Sequence, residues 1–387
     1  MATIIGTDGD DILVGTAEDD RFIGSAGNDT ITGGDGSDII DYSDLEQPVT
    51  IQPVVIQKGV IGTDTFRDFF ETVIGARGQT NIIDATTDST NVSIVADLFK
   101  ERLEIKVVGS PPIIVSVKNF VNVTGTNQKD TITGDAQDNQ LSGSGGNDII
   151  RGSAGNDILD GGGGTDTADY SKIGVSSTIF IDGTFKKGGG LGRDLLGNFE
   201  NLVVDARAAN NTIDASIAPT APFIIGDASV NANLETQSFV VNNLPNGNTA
   251  KFTFINFDNI KGTNQSDTIV GDRQNNLLFG NGGNDALSAG SGNDTLSGGS
   301  GNDTLTGGLG ADKFVFTNVL EDVDIIKDFK AVEGDKIQVS QAGFGATSIS
   351  DFSYDPLNGS LFFQDSRFAI LENNTTGFQT NLDIQLV

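Results

Sequence analysis

The chain has 387 residues, 51 of them glycine, and 53 acidic side chains against 23 basic ones, for a formal charge of -30. With no cysteine and no histidine it excludes disulfides, thiolate or imidazole metal sites and every Ser-His-Asp or Cys-His catalytic arrangement. The acidic surface excludes nucleic acid as a partner, because phosphate binding needs clustered Lys and Arg, and it predicts divalent cations instead, since unneutralised carboxylates repel one another.

From the amino terminus, Met1 to Gly6 has neither a basic region nor an apolar core, so no cleaved amino-terminal signal is predicted. No stretch approaches transmembrane length. A first array of nine-residue units then opens at Gly6, Gly15, Gly24 and Gly33. Its sixth positions are Asp11, Asp20, Asp29 and Asp38, and its eighth are Leu13, Phe22, Ile31 and Ile40.

A second array runs from Gly125 to Asp169. Asp130, Asn139, Asp148, Asp157 and Asp166 hold its sixth position, and Ile132, Leu141, Ile150, Leu159 and Ala168 its eighth. The third, Gly262 to Val315, carries Asp267, Asn276, Asp285, Asp294, Asp303 and Asp312, with Ile269, Leu278, Leu287, Leu296, Leu305 and Phe314. Its fourth unit opens on Ala289 in place of glycine.

Between the arrays the chain is duplicated. Asp41-Tyr42-Ser43 matches Asp169-Tyr170-Ser171, and Gly62, Asp64, Phe69, Asn81, Ile83 and Asp84 match Gly192, Asp194, Phe199, Asn211, Ile213 and Asp214. Short β-branched or aromatic segments such as Ile113 to Val117 and Lys251 to Ile255 predict strands. The spacers read either as outward excursions from one continuous coil or as separate small sandwiches. The expected plan is array 1–41, spacer 42–124, array 125–169, spacer 170–261, array 262–315, and a cap over 316–387.

Nine residues divide into a six-residue turn and a three-residue strand that buries only its middle side chain. Two units make one coil, so residues eighteen apart stack: Asp11 on Asp29, Asp20 on Asp38, Asp148 on Asp166, Asp285 on Asp303, Asp294 on Asp312. Stacked carboxylates repel unless a cation lies between them. With turn carbonyls completing the shell, oxygen ligands at about 2.3–2.6 Å favour Ca²⁺ over Mg²⁺. One ion per stacked pair gives about nine at most. The metal ligands expected are the thirteen array aspartates, Asn139 and Asn276 weakening their own rungs.

These units, Gly-Gly-x-Gly-x-Asp-x-apolar-x, resemble the calcium-binding repeats-in-toxin family; Gly298 to Thr306 and Gly33 to Asp41 carry the resemblance best. It implies an all-β parallel β-roll, a solenoid with Ca²⁺ between turns. Phe314 to Phe316, Asp324 to Phe329, Gly334 to Ile337 and the hairpin-like stretch Tyr354 to Phe363 resemble the capping segment of exported members. The terminal Asp383 to Val387 resembles an uncleaved type I secretion signal. The resemblance therefore implies a secreted or cell-surface protein that folds on meeting external calcium.

The reading is a structural or adhesive calcium-binding protein and not an enzyme, with calcium ions as partners and surface polysaccharide or copies of itself as further candidates. A carboxylate-based polysaccharide enzyme would have to use Asp64, Glu71, Asp194 or Glu200. A polysaccharide-binding module wants flat aromatic faces, and the chain has no Trp and only Tyr42, Tyr170 and Tyr354.

Overall fold

The structure is a computed structural model that describes residues 1–53, 55–216, 228–244, 248–372 and 377–387. It is an all-β fold, divided into two compact units: Met1–Ile173 with Gly189–Val203, and Gly174–Gly188 with Val204–Val387.

In the first unit the repeats form strands of three residues, such as Arg21–Ile23 and Thr30–Thr32, whose middle residue is buried between half-exposed flanks. So short a strand has no core of its own. It gains one by pairing in parallel with the strand one coil away: Phe22 lies between Ile4 and Ile40, and Ile31 beside Leu13. In the second array Ile132, Ile150, Ala168 and Leu202 form one buried column, and Val123, Leu141 and Leu159 another that ends on the half-buried Leu196. Each large aliphatic side chain removed from water contributes about 1.5–3 kcal/mol, so the columns are the main apolar stabilisation of these ladders.

The first spacer enters the same ladders. Val73 pairs between Ile40 and Val117, and Phe66 pairs with Ile31. An antiparallel meander, Val92–Asp97, Arg102–Val107 and Ile113–Lys118, returns the chain to the ladder where Ala96 pairs with Ile132. A cavity of about 430 Å³ lies within this spacer, lined mainly by apolar side chains including Ile56, Phe66, Val73, Ile83, Ile94 and Val115.

In the second unit one column runs Ile179, Ile213, Ile260, Leu278, Leu296, Phe314, Ile337 and Ile384. The other runs Ala232, Ile269, Leu287, Leu305, Ile326 and Leu371. Both columns pass from the third array into the carboxy-terminal segment. There Phe352–Asp355, Ser360–Phe363 and Ser366–Leu371 form an antiparallel meander, and Phe344 packs edge-on against Phe363 and Phe368. No helix among the described residues is long and apolar enough to cross a membrane.

Candidate metal centre

The aspartates of the arrays are stitched to one another through the backbone. The N–H of Asp11 donates to Asp29 Oδ1 at 3.0 Å and that of Asp20 to Asp38 Oδ1 at 2.8 Å. The same bond joins Asp130 to Asp148 and Asp148 to Asp166, at 2.8 and 2.7 Å. In the third array it joins Asp267 to Asp285, Asp285 to Asp303 and Asp294 to Asp312, at 2.7, 2.7 and 2.9 Å. Asn139 and Asn276 donate in the same way to Asp157 and Asp294. Each rung thus uses one oxygen of its aspartate to hold the backbone of the rung before it, which leaves the other oxygen to be accounted for.

That second oxygen divides the turns into two kinds. Where threonine follows the opening glycine, its N–H and hydroxyl both bond the turn's own aspartate: Thr7 to Asp11, Thr16 to Asp20, Thr126 to Asp130 and Thr263 to Asp267. The N–H of Ser153 does the same for Asp157 at 3.2 Å. These turns are closed. In seven others the second residue lies at positive φ: Gly34, Ser144, Gly162, Asn281, Gly290, Gly299 and Gly308. Its amide is turned elsewhere, as when Gly162 donates to Asp160. In these open turns Oδ2 of Asp148, Asp166, Asp285, Asp294, Asp303 and Asp312 is buried without any hydrogen-bond donor. Asp38 sits in the remaining open turn; the closed turns hold Asp11, Asp20, Asp130, Asp157 and Asp267.

The electrostatics follow this division only in part, since burial raises Asp130 and Asp267 in closed turns as well. Burial, aided by the neighbouring carboxylates, pushes Asp285 up to about 8, Asp148 to about 7, and Asp303 and Asp312 to about 6. Asp20, in a closed turn, is held below the ordinary carboxylate value by the amides of Thr16 and Ala2. An orphaned, desolvated carboxylate oxygen is costly, and the open turns stack several of them in line.

The opening glycines leave room for what would meet those oxygens. A methyl group on Gly280 would lie 2.1 Å from Asp285 Oδ2 and 2.5 Å from the carbonyl oxygen of Gly298; on Gly143 it would lie 2.2 Å from Asp148 Oδ2 and 2.5 Å from Gly161 O. The carboxylate of one rung and the turn carbonyl of the next therefore converge on the same bare α-carbon. Every donor is oxygen, the set that suits a hard cation such as Ca²⁺. No group of three or more acidic side chains placed to hold one ion occurs among the described residues, so backbone carbonyls would complete the shell, and these turns present them.

Several participants have no nine-residue phase. Asp324 and Asp335 continue the columns beyond the third array, accepting from the N–H of Asp303 and of Asp312 at 3.0 Å each. Asp324 Oδ2 is a further buried oxygen without a donor, and burial raises this carboxyl to about 8. Asp64 and Asp194 accept from Asp29 and Asp157 at 3.1 and 2.9 Å. The sequence does signal all four, since each aspartate is followed two residues later by a large apolar residue, as in the repeats: Phe66, Leu196, Ile326 and Ile337.

Carboxylates from the intervening segments also terminate the arrays. Asp68 accepts from the amides of Gly33 and Gly34, and Asp328 from those of Gly307 and Gly308. Glu71 and Glu200 accept from Asp38 and Asp166. Asp64, Glu71, Asp194 and Glu200, the carboxylates an acid-base enzyme would need, are thus each engaged in closing a rung.

At Asp29 a side-chain cation takes part. The hydroxyl of Ser25 reaches its Oδ2 at 3.3 Å, and so does the ammonium of Lys58, at 3.2 Å. Lys58 is fully buried.

Residues 5–40, 122–150, 133–168, 261–296 and 279–314 match the family described as RTX calcium-binding nonapeptide repeat (4 copies). These segments coincide with the three arrays, and the family is a calcium-binding one, not a catalytic one. No curated protein matches the chain. Among solved structures, the crystal structure of extracellular lipase LipA from Serratia marcescens is similar at 18% identity, covering 84% of this chain and 45% of that one, with a TM-score of 0.26. The chain spans less than half the length of that lipase, and no argument rests on so loose an overlay.

Proposed function

We propose that the protein is a secreted calcium-binding β-roll whose arrays fold around Ca²⁺, serving as a structural or adhesive component outside the cell. The observation that carries this reading is the row of buried carboxylate oxygens without donors, those of Asp148 and Asp285 facing a turn carbonyl of the next rung. Four slots are flanked by such oxygens on both sides: Asp148 with Asp166, Asp285 with Asp303, Asp294 with Asp312, and Asp303 with Asp324. These four are the principal sites, fewer than the eighteen-residue count alone suggests. The closed turns hold their rungs without an ion.

In this reading the arrays and the strands that join them are rungs of one kind of coil, with the six segments of the sequence as its arrays, excursions and cap. In low calcium the charge of -30 keeps the chain expanded. External calcium then drives folding, because ion binding and folding are one free energy when no site preexists. The acidic-then-apolar terminus fits export by a type I route. Among binding partners, a polysaccharide gains no support from the cavity of the first spacer, whose lining is mainly aliphatic and phenyl.

Circular dichroism during calcium titration of chelator-treated protein tests the proposal. The expected result is a cooperative coil-to-β transition saturating near four strongly bound ions. Full β content in excess chelator, with no calcium uptake, would sink it.

A further inference from the structure

The stacked pair Asp29 and Asp64 has the donor set of an ion slot but a different occupant. Lys58 Nζ lies 3.2 Å from Asp29 Oδ2, 2.5 Å from Asp64 Oδ1 and 2.7 Å from the carbonyl oxygen of Ser25. Two carboxylates from successive rungs and a turn carbonyl are what the open turns offer a cation. The lysine is wholly buried, and its three N–H groups match the three oxygens. The remaining oxygen, Asp64 Oδ2, accepts from the hydroxyl of Tyr42 at 2.6 Å, and Asp64 Oδ1 also accepts from the N–H of Asp29. The slot is therefore full. Half the charge of its anionic walls is offset by an ammonium that the chain carries itself.

We propose that this slot is a cation site of the repeat permanently closed by the Lys58 ammonium, so that Ca²⁺ is excluded from it and the rungs around Asp29 hold together without calcium. The inference rests on the reading of the other stacked aspartates as calcium sites, and it deepens that reading by dividing the molecule. The Asp29 to Asp64 rungs become a calcium-independent seed, while the open turns of the second and third arrays order only when the ion arrives. A buried ammonium between two carboxylates is stable only while all three are present, because removing one partner strands the others in a dry site. Lys58 is accordingly a positioning residue for the fold. Its slot is also the place where a new divalent-ion site appears if it is removed.

Two measurements on the full chain test this. Hydrogen exchange of the wild-type protein in chelator is expected to leave the amides of Asp29 and Thr65 protected at least tenfold more than those of Asp285, Asp294 and Asp303. Equal and rapid exchange at all of them overturns the proposal. Protection at all of them supports the closed slot but removes the calcium requirement proposed for the open turns, so the two readings fail separately. In the second, Lys58→Ala is titrated with calcium alone. It is expected to lose the protection around Asp29 in chelator, to regain it in millimolar calcium, and to take up one more equivalent of Ca²⁺ than wild type. An unchanged ion count, or a variant that stays unfolded in calcium, overturns the proposal.

Discussion

Replacing Asp285 by asparagine separates what the stacked carboxylates cost from what they are for. Asparagine keeps the oxygen that accepts the N–H of Asp267 at 2.7 Å and removes the charge from the one without a donor. In the calcium-free fold, burial and the flanking Asp303 and Asp267 push the Asp285 carboxyl to about 8. A tenfold change in proton affinity is worth ~1.4 kcal/mol, so between the ordinary carboxylate value and neutral pH this side chain carries a penalty of about 4 kcal/mol. The new amide hydrogens offset about 1 kcal/mol of the gain where they find no acceptor. Asp285→Asn should therefore stabilise the calcium-free protein by about 3 kcal/mol.

With calcium present the sign should reverse. Losing one ion at a hundredfold excess over its Kd removes about 2.7 kcal/mol. Urea unfolding at neutral pH, followed by circular dichroism in millimolar calcium and in chelator with a stabilising osmolyte that restores the calcium-free fold, reads both numbers. A variant that is less stable by the same amount in both conditions would refute the reasoning, because the carboxylate would then be an ordinary structural hydrogen-bonding group.

Acidity should substitute in part for calcium. Carboxyls raised in the folded state bind protons more tightly there than in the unfolded chain, so their contribution is fully present below about pH 4 and is lost as pH rises through the folded values. For Asp303 and Asp312 that loss is complete near 6, for Asp148 near 7, and for Asp285 and Asp324 near 8. The calcium-free protein should lose β content from about pH 5 to 8 while calcium affinity climbs over the same range; a pH-independent affinity would contradict this. Thr263→Gly removes the hydroxyl that bonds Asp267 and lets this residue take positive φ, which turns its amide off the Asp267 oxygen it now holds at 2.6 Å, and should add one calcium ion by equilibrium dialysis; an unchanged count argues against the open and closed distinction. Ser144→Gly relieves a non-glycine residue at φ 72 and should raise the urea stability of the calcium form by about 1 kcal/mol; a loss of stability would mean that the Ser144 hydroxyl matters more than the strain.

The sequence displays the period plainly because two demands coincide in it. A three-residue strand must bury one side chain, and a turn must place one carboxylate, so Leu287 and Asp285 repeat in step with Leu305 and Asp303. The division into open and closed turns is legible only in part, as threonine in most closed turns and glycine in most open ones, since Ser144 stands in an open turn and Ser153 in a closed one; it emerges only when the competing amide is seen in place. Asp324, Asp335, Asp64 and Asp194 fall outside any fixed interval, since loops of unequal length precede them. Lys58 carries no local signal at all. A lysine in a spacer reads as a solvated surface residue until the turn around Ser25 is folded over it.

The hydrogen bonds between successive aspartates also say how the molecule counts. Within arrays the step is 18 residues, yet the same bond spans 21 from Asp303 to Asp324, 23 from Asp312 to Asp335, 35 from Asp29 to Asp64 and 37 from Asp157 to Asp194. What the coil measures is the arrival of an aspartate with an apolar residue two places on, whatever length of chain lies between. Such a ladder has ports. Foreign loops inserted between Asp303 and Asp324 should leave both columns in register, which makes this fold a rack on which new segments can be hung without redesigning the rungs that carry them.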